Sequence, residues 1–150
     1  MKLAEALQER ADINKKISQL RSRLSYNLLV QEGEKTAEDP LVLLKELDQS
    51  IKRLQFLIEH INLTNCNTLV GDKTITELLA KKDSLTLQIS AYRDVIEQGS
   101  RNTDRARHSE IKILSTINVA DIQRKTDKMA KELRSVDNLL QETNWNTELL

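Results

Sequence analysis

The feature that most limits how this chain can fold is an apolar seam in its second quarter. Its members alternate in steps of three and four residues without a missed position: Leu44, Leu47, Ile51, Leu54, Ile58 and Ile61. Residues at this heptad spacing form a continuous stripe along one side of an α-helix. Because such a stripe needs an apolar partner, the seam predicts a long amphipathic helix that packs against other helices.

Three further segments carry seams of the same kind. Their members are Leu3, Ala6, Ile13, Ile17, Leu20 and Leu24; Ile75, Leu78, Lys82, Leu85, Ile89, Tyr92 and Ile96; and Val119, Ile122, Thr126, Met129, Leu133, Val136 and Leu140. Together the seams predict helices over 2–27, 40–63, 75–98 and 119–143. Four helices with one stripe each favour an all-α fold, an antiparallel four-helix bundle, in a single domain that spans residues 1–150.

Two of the helices have clear start signals. Asp39 can accept hydrogen bonds from free N–H groups of the first turn, and Pro40 suits the first helical position. Thr74 and Glu77 have the Thr-x-x-Glu spacing of a capping box. These residues predict helix starts at 40 and 75.

Glycines indicate where two segments turn or stop. Gly71 and Asp72 form a plausible two-residue hairpin turn, which residues 69–70 would enter as a short extended piece. Gly99 is well placed as a C-terminal stop for the third helix.

The connector before the last helix is β-prone, in contrast to the rest of the chain. Its apolar members are Ile111, Ile113, Leu114 and Ile117. An unpaired extended run of this kind invites a partner. We therefore predict a short β-like connector that acts as an assembly element, and that pairs either with residues 28–30 or with another subunit.

A basic cluster precedes and overlaps this connector. Its members are Arg101, Arg105, Arg107, His108 and Lys112. Guanidinium groups bind anions, phosphates and acidic partner surfaces. Acidic residues are interleaved with the cluster, so a solvated loop with local ion pairs is the competing interpretation.

Charged residues within the seams need partners. Arg10 and Lys82 lie in the stripes of the first and third helices, and a buried unpaired cation is costly. Glu59 and Asp137 lie at a similar height on the returning helices. We predict at least one acid–base pair among these four, or extension of the long side chains to the rim.

The tail of the chain, residues 145–150, ends in Trp145, Leu149 and Leu150. An exposed cluster of this kind would be sticky, so we expect the tail to dock.

Composition argues against several functions. The 23 basic residues balance the 23 acidic ones, so the electrostatic footprint of a nucleic-acid-binding protein is missing. The Glu-x-x-His pattern of di-iron bundles is absent, and two histidines with one cysteine favour neither a zinc site nor another cofactor. No run predicts a signal peptide or a membrane span. The expectation is a soluble, cytoplasmic protein without metal, cofactor or catalytic residues.

Five segments of the chain resemble a family of small bacterial proteins labelled septicolysin. They are the N-terminal residues 1–12, the loop 38–40, and the segments TELLAKKD (76–83), SEIKILSTINV (109–119) and NWNTELL (144–150). The resemblance implies a helical fold without an established activity, whereas the label implies a pore-forming cytolysin. A single Trp and the absence of a transmembrane hairpin pattern in the sequence argue against that activity.

The function that these features favour is a soluble structural or interaction protein that self-assembles as a homo-oligomer through coiled-coil-like seams. One alternative is a membrane-active cytolysin, as the label implies. Another is an enzyme or an anion-binding bundle that uses residues 101–112. An enzyme is the less expected outcome, because no catalytic motif stands out.

Overall fold

The computed structural model describes residues 1–101 and 111–150. Its elements are α1 (Leu3–Tyr26), α2 (Pro40–Asn67), β1 (Leu69–Val70), β2 (Lys73–Thr74), α3 (Ile75–Gly99) and α4 (Val119–Asn146). The fold is mostly helical with one small two-stranded sheet, so the predicted helical class is confirmed. Helix α2 ends four residues later than predicted, and α4 ends three residues later.

The described residues form two compact units. The first contains Met1–Val70 together with Thr143–Leu150, and the second contains Gly71–Glu142. The prediction of a single domain over residues 1–150 stays a prediction.

In the first unit, α1 and α2 form an antiparallel hairpin. Three ion pairs join them, Glu9 with Arg53, Lys16 with Glu46, and Arg23 in α1 with Glu38 just before α2. The residue numbers rise along one helix as they fall along the other, which fixes the antiparallel direction. Leu20 and Leu24 of α1 pack with Leu43 of α2, and half-buried Leu47 packs against them.

The start of α2 follows the sequence signals. The Asp39 carboxylate accepts a hydrogen bond from the Leu41 N–H at 2.9 Å, and Pro40 occupies the first turn. The side-chain carbonyl of buried Asn27 accepts a hydrogen bond from the Glu38 N–H at 2.9 Å. This bond closes the loop between the two helices.

The backbone of the tail docks on the first unit, as predicted, but the Trp145 and Leu150 side chains stay 53% and 60% exposed. The Leu3 N–H donates to the Thr147 carbonyl, and the Leu149 N–H donates to the Met1 carbonyl, each at 2.9 Å. The Leu150 N–H donates to Oγ1 of fully buried Thr64 at 3.0 Å. The tail therefore supplies hydrogen bonds to both α1 and α2.

The second unit opens with the predicted hairpin and cap. Gly71 has a φ of +68°, a conformation that glycine adopts without steric cost, and it turns the chain between β1 and β2. Oγ1 of Thr74 accepts a hydrogen bond from the Glu77 N–H at 3.2 Å, and the Glu77 carboxylate accepts one from the Thr74 N–H at 2.7 Å. These two bonds complete the capping box.

Two ion pairs join α3 to α4. Lys81 pairs with Glu132 at 2.5 Å, and Lys82 pairs with Asp137. The second pair confirms the acid–base contact predicted for the charged seam positions, and both of its side chains are more than one-third exposed.

The connector contains no strand among the described residues 111–118, although Lys112 is a single β-bridge residue. Residues 28–30, the predicted partner within the chain, form no strand, and pairing with another subunit stays a prediction. The backbone from 113 to 117 instead runs along the end of α3, where Ile117 meets Gly99.

We predict that Thr74→Ala lowers the free energy of unfolding by about 0.5–2 kcal/mol, because the Glu77 N–H loses its acceptor. Thr74→Ser keeps the hydroxyl and is the matched control, which should unfold within a few tenths of a kcal/mol of the parent. Urea titration followed by circular dichroism measures both. Equal stability of the Ala and Ser variants would contradict the capping role.

Candidate functional site

The structure describes two members of the predicted anion-binding cluster. Arg101 follows α3, is exposed, and lies 3.5 Å from the Glu97 carboxylate in an i,i+4 pair. Lys112 is exposed. Arg105, Arg107 and His108 lie outside the described residues, so the cluster stays a prediction.

The predicted assembly residues of the connector lie on the surface. Ile111 and Leu114 are 72% and 73% exposed, and Ile113 and Ile117 are 42% and 37% exposed. Residues 113–117 and the end of α3 line a shallow groove of about 370 Å³. Several large apolar side chains are thus exposed next to one another, which is uncommon on a monomeric protein.

The reason for glycine at position 99 differs from the one expected. Helix α3 does end at Gly99, but this residue does not adopt the positive φ of a C-terminal glycine stop. A Cβ atom at this position would lie 2.8 Å from Cδ1 and 3.2 Å from Cγ1 of Ile117. The close approach of the Ile117 side chain therefore leaves little room for a Cβ atom at residue 99.

The seam of α2 contains the main error in the sequence prediction. Ile61 is buried as predicted, and Leu47 and Leu54 are half-buried, but Leu44, Ile51 and Ile58 are 42–46% exposed. The other positions that α2 buries are Leu43, Ser50, Leu57 and Thr64, which also recur every seven residues. Each exposed member follows a buried one by a single residue, which places it about 100° further round the helix.

Helix α2 therefore has two stripes. We call Leu43, Ser50, Leu57 and Thr64 the inner stripe, because it is buried within the first unit. We call Leu44, Ile51 and Ile58 the outer stripe. Leu47 and Leu54 lie between the two, and Ile51, Leu54, Gln55, Ile58 and Glu59 line an open groove of about 380 Å³.

Ion pairs hold the edge of the α1/α2 hairpin that lies away from the outer stripe. The Arg53 guanidinium contacts both carboxylate oxygens of Glu9, at 2.6 and 2.8 Å, and lies 5.0 Å from the centre of the Phe56 ring. The hydrogen bond from Arg53 lowers the pKa of Glu9, and that from Lys16 lowers the pKa of Glu46. Both effects favour the charged carboxylates that the pairs need.

The histidine and the cysteine of α2 are not arranged as a catalytic pair. The His60 ring stacks at a tilt on Phe56, with 4.0 Å between ring centroids, and its Nδ1 contacts the backbone carbonyl of Leu150. Cys66 is exposed near the end of the helix. The imidazole is thus engaged by the docked tail.

Two searches of the structure gave negative results. Among residues 1–101 and 111–150, no cluster of His, Cys, Asp and Glu side chains has an arrangement that could hold a metal ion. No helix in these ranges combines the length and the apolar character of a membrane-spanning segment.

Comparisons with known proteins identify relatives without assigned functions. The model of a family of unknown function, DUF6847, matches residues 10–149. A crystal structure of a functionally unknown conserved protein from Corynebacterium diphtheriae is similar in fold, with a TM-score of 0.91. It is 36% identical in sequence, and the match covers 100% of this chain and 99% of that one. No protein with a curated description matches the sequence.

We predict that the effect of Gly99→Ala on stability depends on residue 117. Alanine is ordinarily favoured over glycine in a helix by about 0.5–1 kcal/mol. In the parent protein the crowded Ile117 side chain offsets this gain, and Ile117→Val, which removes Cδ1, restores it. Urea unfolding of the four proteins of this double-mutant cycle measures the coupling. The same effect of Gly99→Ala in both backgrounds would contradict the close approach.

Proposed function

We propose that this chain, which belongs to DUF6847, a family of unknown function, is a structural protein that assembles with copies of itself. The observation that carries the proposal is the exposed apolar run of the connector. Leu114 and Ile111 are each more than 70% exposed and lie beside two further half-exposed isoleucines. Burying one such side chain contributes about 1.5–3 kcal/mol, so a contact made by several of them favours association.

The sequence predicts an antiparallel bundle of the chain's own four helices, and this arrangement stays a prediction. Each half of such a bundle is an antiparallel helical hairpin, and α1 with α2 forms one, joined along one edge by ion pairs. We propose that hairpins from two copies meet to complete four-helix packing. The outer stripe supports this idea, because it is an apolar stripe on α2 that the first unit does not bury.

The cytoplasmic location also belongs to the proposal. The single cysteine, Cys66, is an exposed thiol, which a reducing compartment would preserve. The resemblance to septicolysin and the lytic activity that its label implies stay predictions. Dye-loaded liposomes test this activity, since a structural protein should release no dye.

We predict that the parent protein associates reversibly at micromolar concentration and that Leu114→Ser weakens this association about tenfold or more. Leu87→Ser is the matched control, because Leu87 is also 73% exposed but stands as a single residue on α3. Sedimentation velocity over a concentration series measures the association constants.

Two results would contradict the proposal. A parent protein that remains monomeric at about 100 μM would remove self-assembly, since this concentration is well above the micromolar range predicted for association. Equal effects of Leu114→Ser and Leu87→Ser would remove the connector from the assembly surface.

A further inference from the structure

The outer stripe differs from the exposed apolar residues of α3. Leu79, Leu87 and Val95 of α3 are also exposed, but they are spaced by eight residues and so move about 80° round the helix at each step. Leu44, Ile51 and Ile58 recur every seven residues and stay on one side. Repetition of this kind is the pattern of a helix-pairing seam.

The outer stripe lies on the side of the α1/α2 hairpin away from the ion pairs. The α1 residues of the three ion pairs, Glu9, Lys16 and Arg23, recur every seven residues and lie along one edge. On the opposite side α1 carries residues spaced by four, three and four: Leu7, Ala11, Asn14 and Ser18. This row and the outer stripe contain no charged residue, but Arg10 and Arg21 lie between the row and the buried stripe of α1. The hairpin therefore has one edge joined by ion pairs and, on α2, an apolar stripe suited to contact with another helix.

The outer edge of this face carries charges without partners. Lys45, Asp48, Lys52 and Glu59 form no ion pair with any residue in the described ranges. Glu46 and Arg53, on the other side of the same helix, are both paired with α1. The unpaired edge alternates in sign, in the order positive, negative, positive, negative.

We propose that the outer stripe of α2 is a homotypic docking surface, occupied by the outer stripe of a second copy in antiparallel orientation. This inference rests on the proposed self-assembly and names one of its surfaces. The occupant follows from the charges and from the register, which both fit a second α2.

In the antiparallel register with Ile51 on the two-fold axis, Leu44 of each copy lies opposite Ile58 of the other. Lys45 then lies within about 3 Å of the height of the other copy's Glu59, and Asp48 within about 3 Å of the height of the other copy's Lys52, at 1.5 Å rise per residue. Long side chains span such offsets. Each of the four unpaired charges of an α2 thus has a residue of opposite sign at a similar height, while the Lys52 side chains of the two copies also lie within about 3 Å of each other's height.

A parallel pairing lacks this complementarity. In a parallel two-fold pair, the outer edge of one helix meets the inner edge of the other. The inner edge of α2 is the side that α1 occupies. In the antiparallel pair, outer edge meets outer edge, and the two α1 helices lie side by side. The result is a four-helix arrangement built from two hairpins.

The contact should be of modest strength. One pair of helices buries an area near the lower limit of specific interfaces, which is roughly 1,200 Å². We expect a dissociation constant in the micromolar range for this surface, so the experiment uses protein at about 50–100 μM.

Cysteine cross-linking tests the register directly. In a Cys66→Ser background, Leu44→Cys and Ile58→Cys proteins are treated with a short bismaleimide, separately and mixed. The antiparallel register predicts a cross-linked dimer in the mixture and little in either protein alone, whereas Ile51→Cys cross-links by itself. Leu87→Cys, on α3, is the control for random collision. Cross-linking of Leu44→Cys alone, or equal yields at all positions, would overturn the proposal.

Charge exchange tests the partner assignment. Glu59→Lys places like charges opposite one another at two symmetric points and should weaken association about tenfold. Adding Lys45→Glu restores opposite charges and should restore association. Asp94→Lys, on exposed α3, is the control for net charge, and circular dichroism checks that each variant is folded. A double variant as weak as Glu59→Lys would contradict the pairing.

The outcomes separate this inference from the proposed function. If the parent protein is monomeric at 100 μM, both fail. If it associates but the cysteine mixture gives no more product than Leu87→Cys, self-assembly stands and the docking of α2 on α2 is wrong.

Discussion

The rotation of α2 about its own axis decides which surfaces this protein presents. It is set by burial of the inner stripe, above all of Leu43 against Leu20 and Leu24 of α1. Burying each such side chain contributes about 1.5–3 kcal/mol. An exposed ion pair contributes about 0–1 kcal/mol. Apolar burial therefore determines the rotation of α2. The ion pairs with α1 only add to the stability of an orientation that this burial sets.

Once this rotation is fixed, the directions in which the other sides of α2 face are fixed too. The inner stripe occupies the side of α2 toward α1, so the outer stripe must lie about 100° further round. In a four-helix bundle, each helix contacts two neighbours in directions roughly at right angles. Helix α2 has apolar stripes suited to two neighbours, whereas α1 has one strongly apolar stripe. Helix α2 thus has more apolar surface for helix packing than the first unit buries.

The sequence was sufficient where a local interaction fixes the structure. Asp39, Thr74 and Gly71 act within four residues along the chain, and each occupies the position predicted for it. Helix direction and height predict at least one acid–base pair among Arg10, Lys82, Glu59 and Asp137, and the pair that forms is Lys82 with Asp137.

The sequence did not decide which side of a helix is buried where two possible stripes share some of their residues. In α2 the stripes overlap through Leu47, Leu54 and Ile61, and the more regular stripe of Leu and Ile predicts the wrong buried side. Ser50 and Thr64 conceal the true inner stripe, because their hydroxyls donate to the carbonyls of Glu46 and His60 and so allow burial. The contact between Gly99 and Ile117 depends on the path of the connector, which no local pattern specifies. Arg105, Arg107 and His108 lie outside the described residues, so their assignment to the basic cluster rests on the sequence alone.

The most direct measurement of the central claim is a set of distances between spin labels on the outer edge of α2. Single labels are placed at residues 48, 52, 55 and 59 in a Cys66→Ser background, and dipolar spectroscopy gives the separation between copies. The antiparallel pair predicts the shortest distance at residue 52, and the separation along the helix axis grows by about 3 Å for each residue away from 51. Equal distances at all four positions would indicate parallel helices, and no dipolar coupling between copies would show that α2 does not pair. Either result would contradict the account.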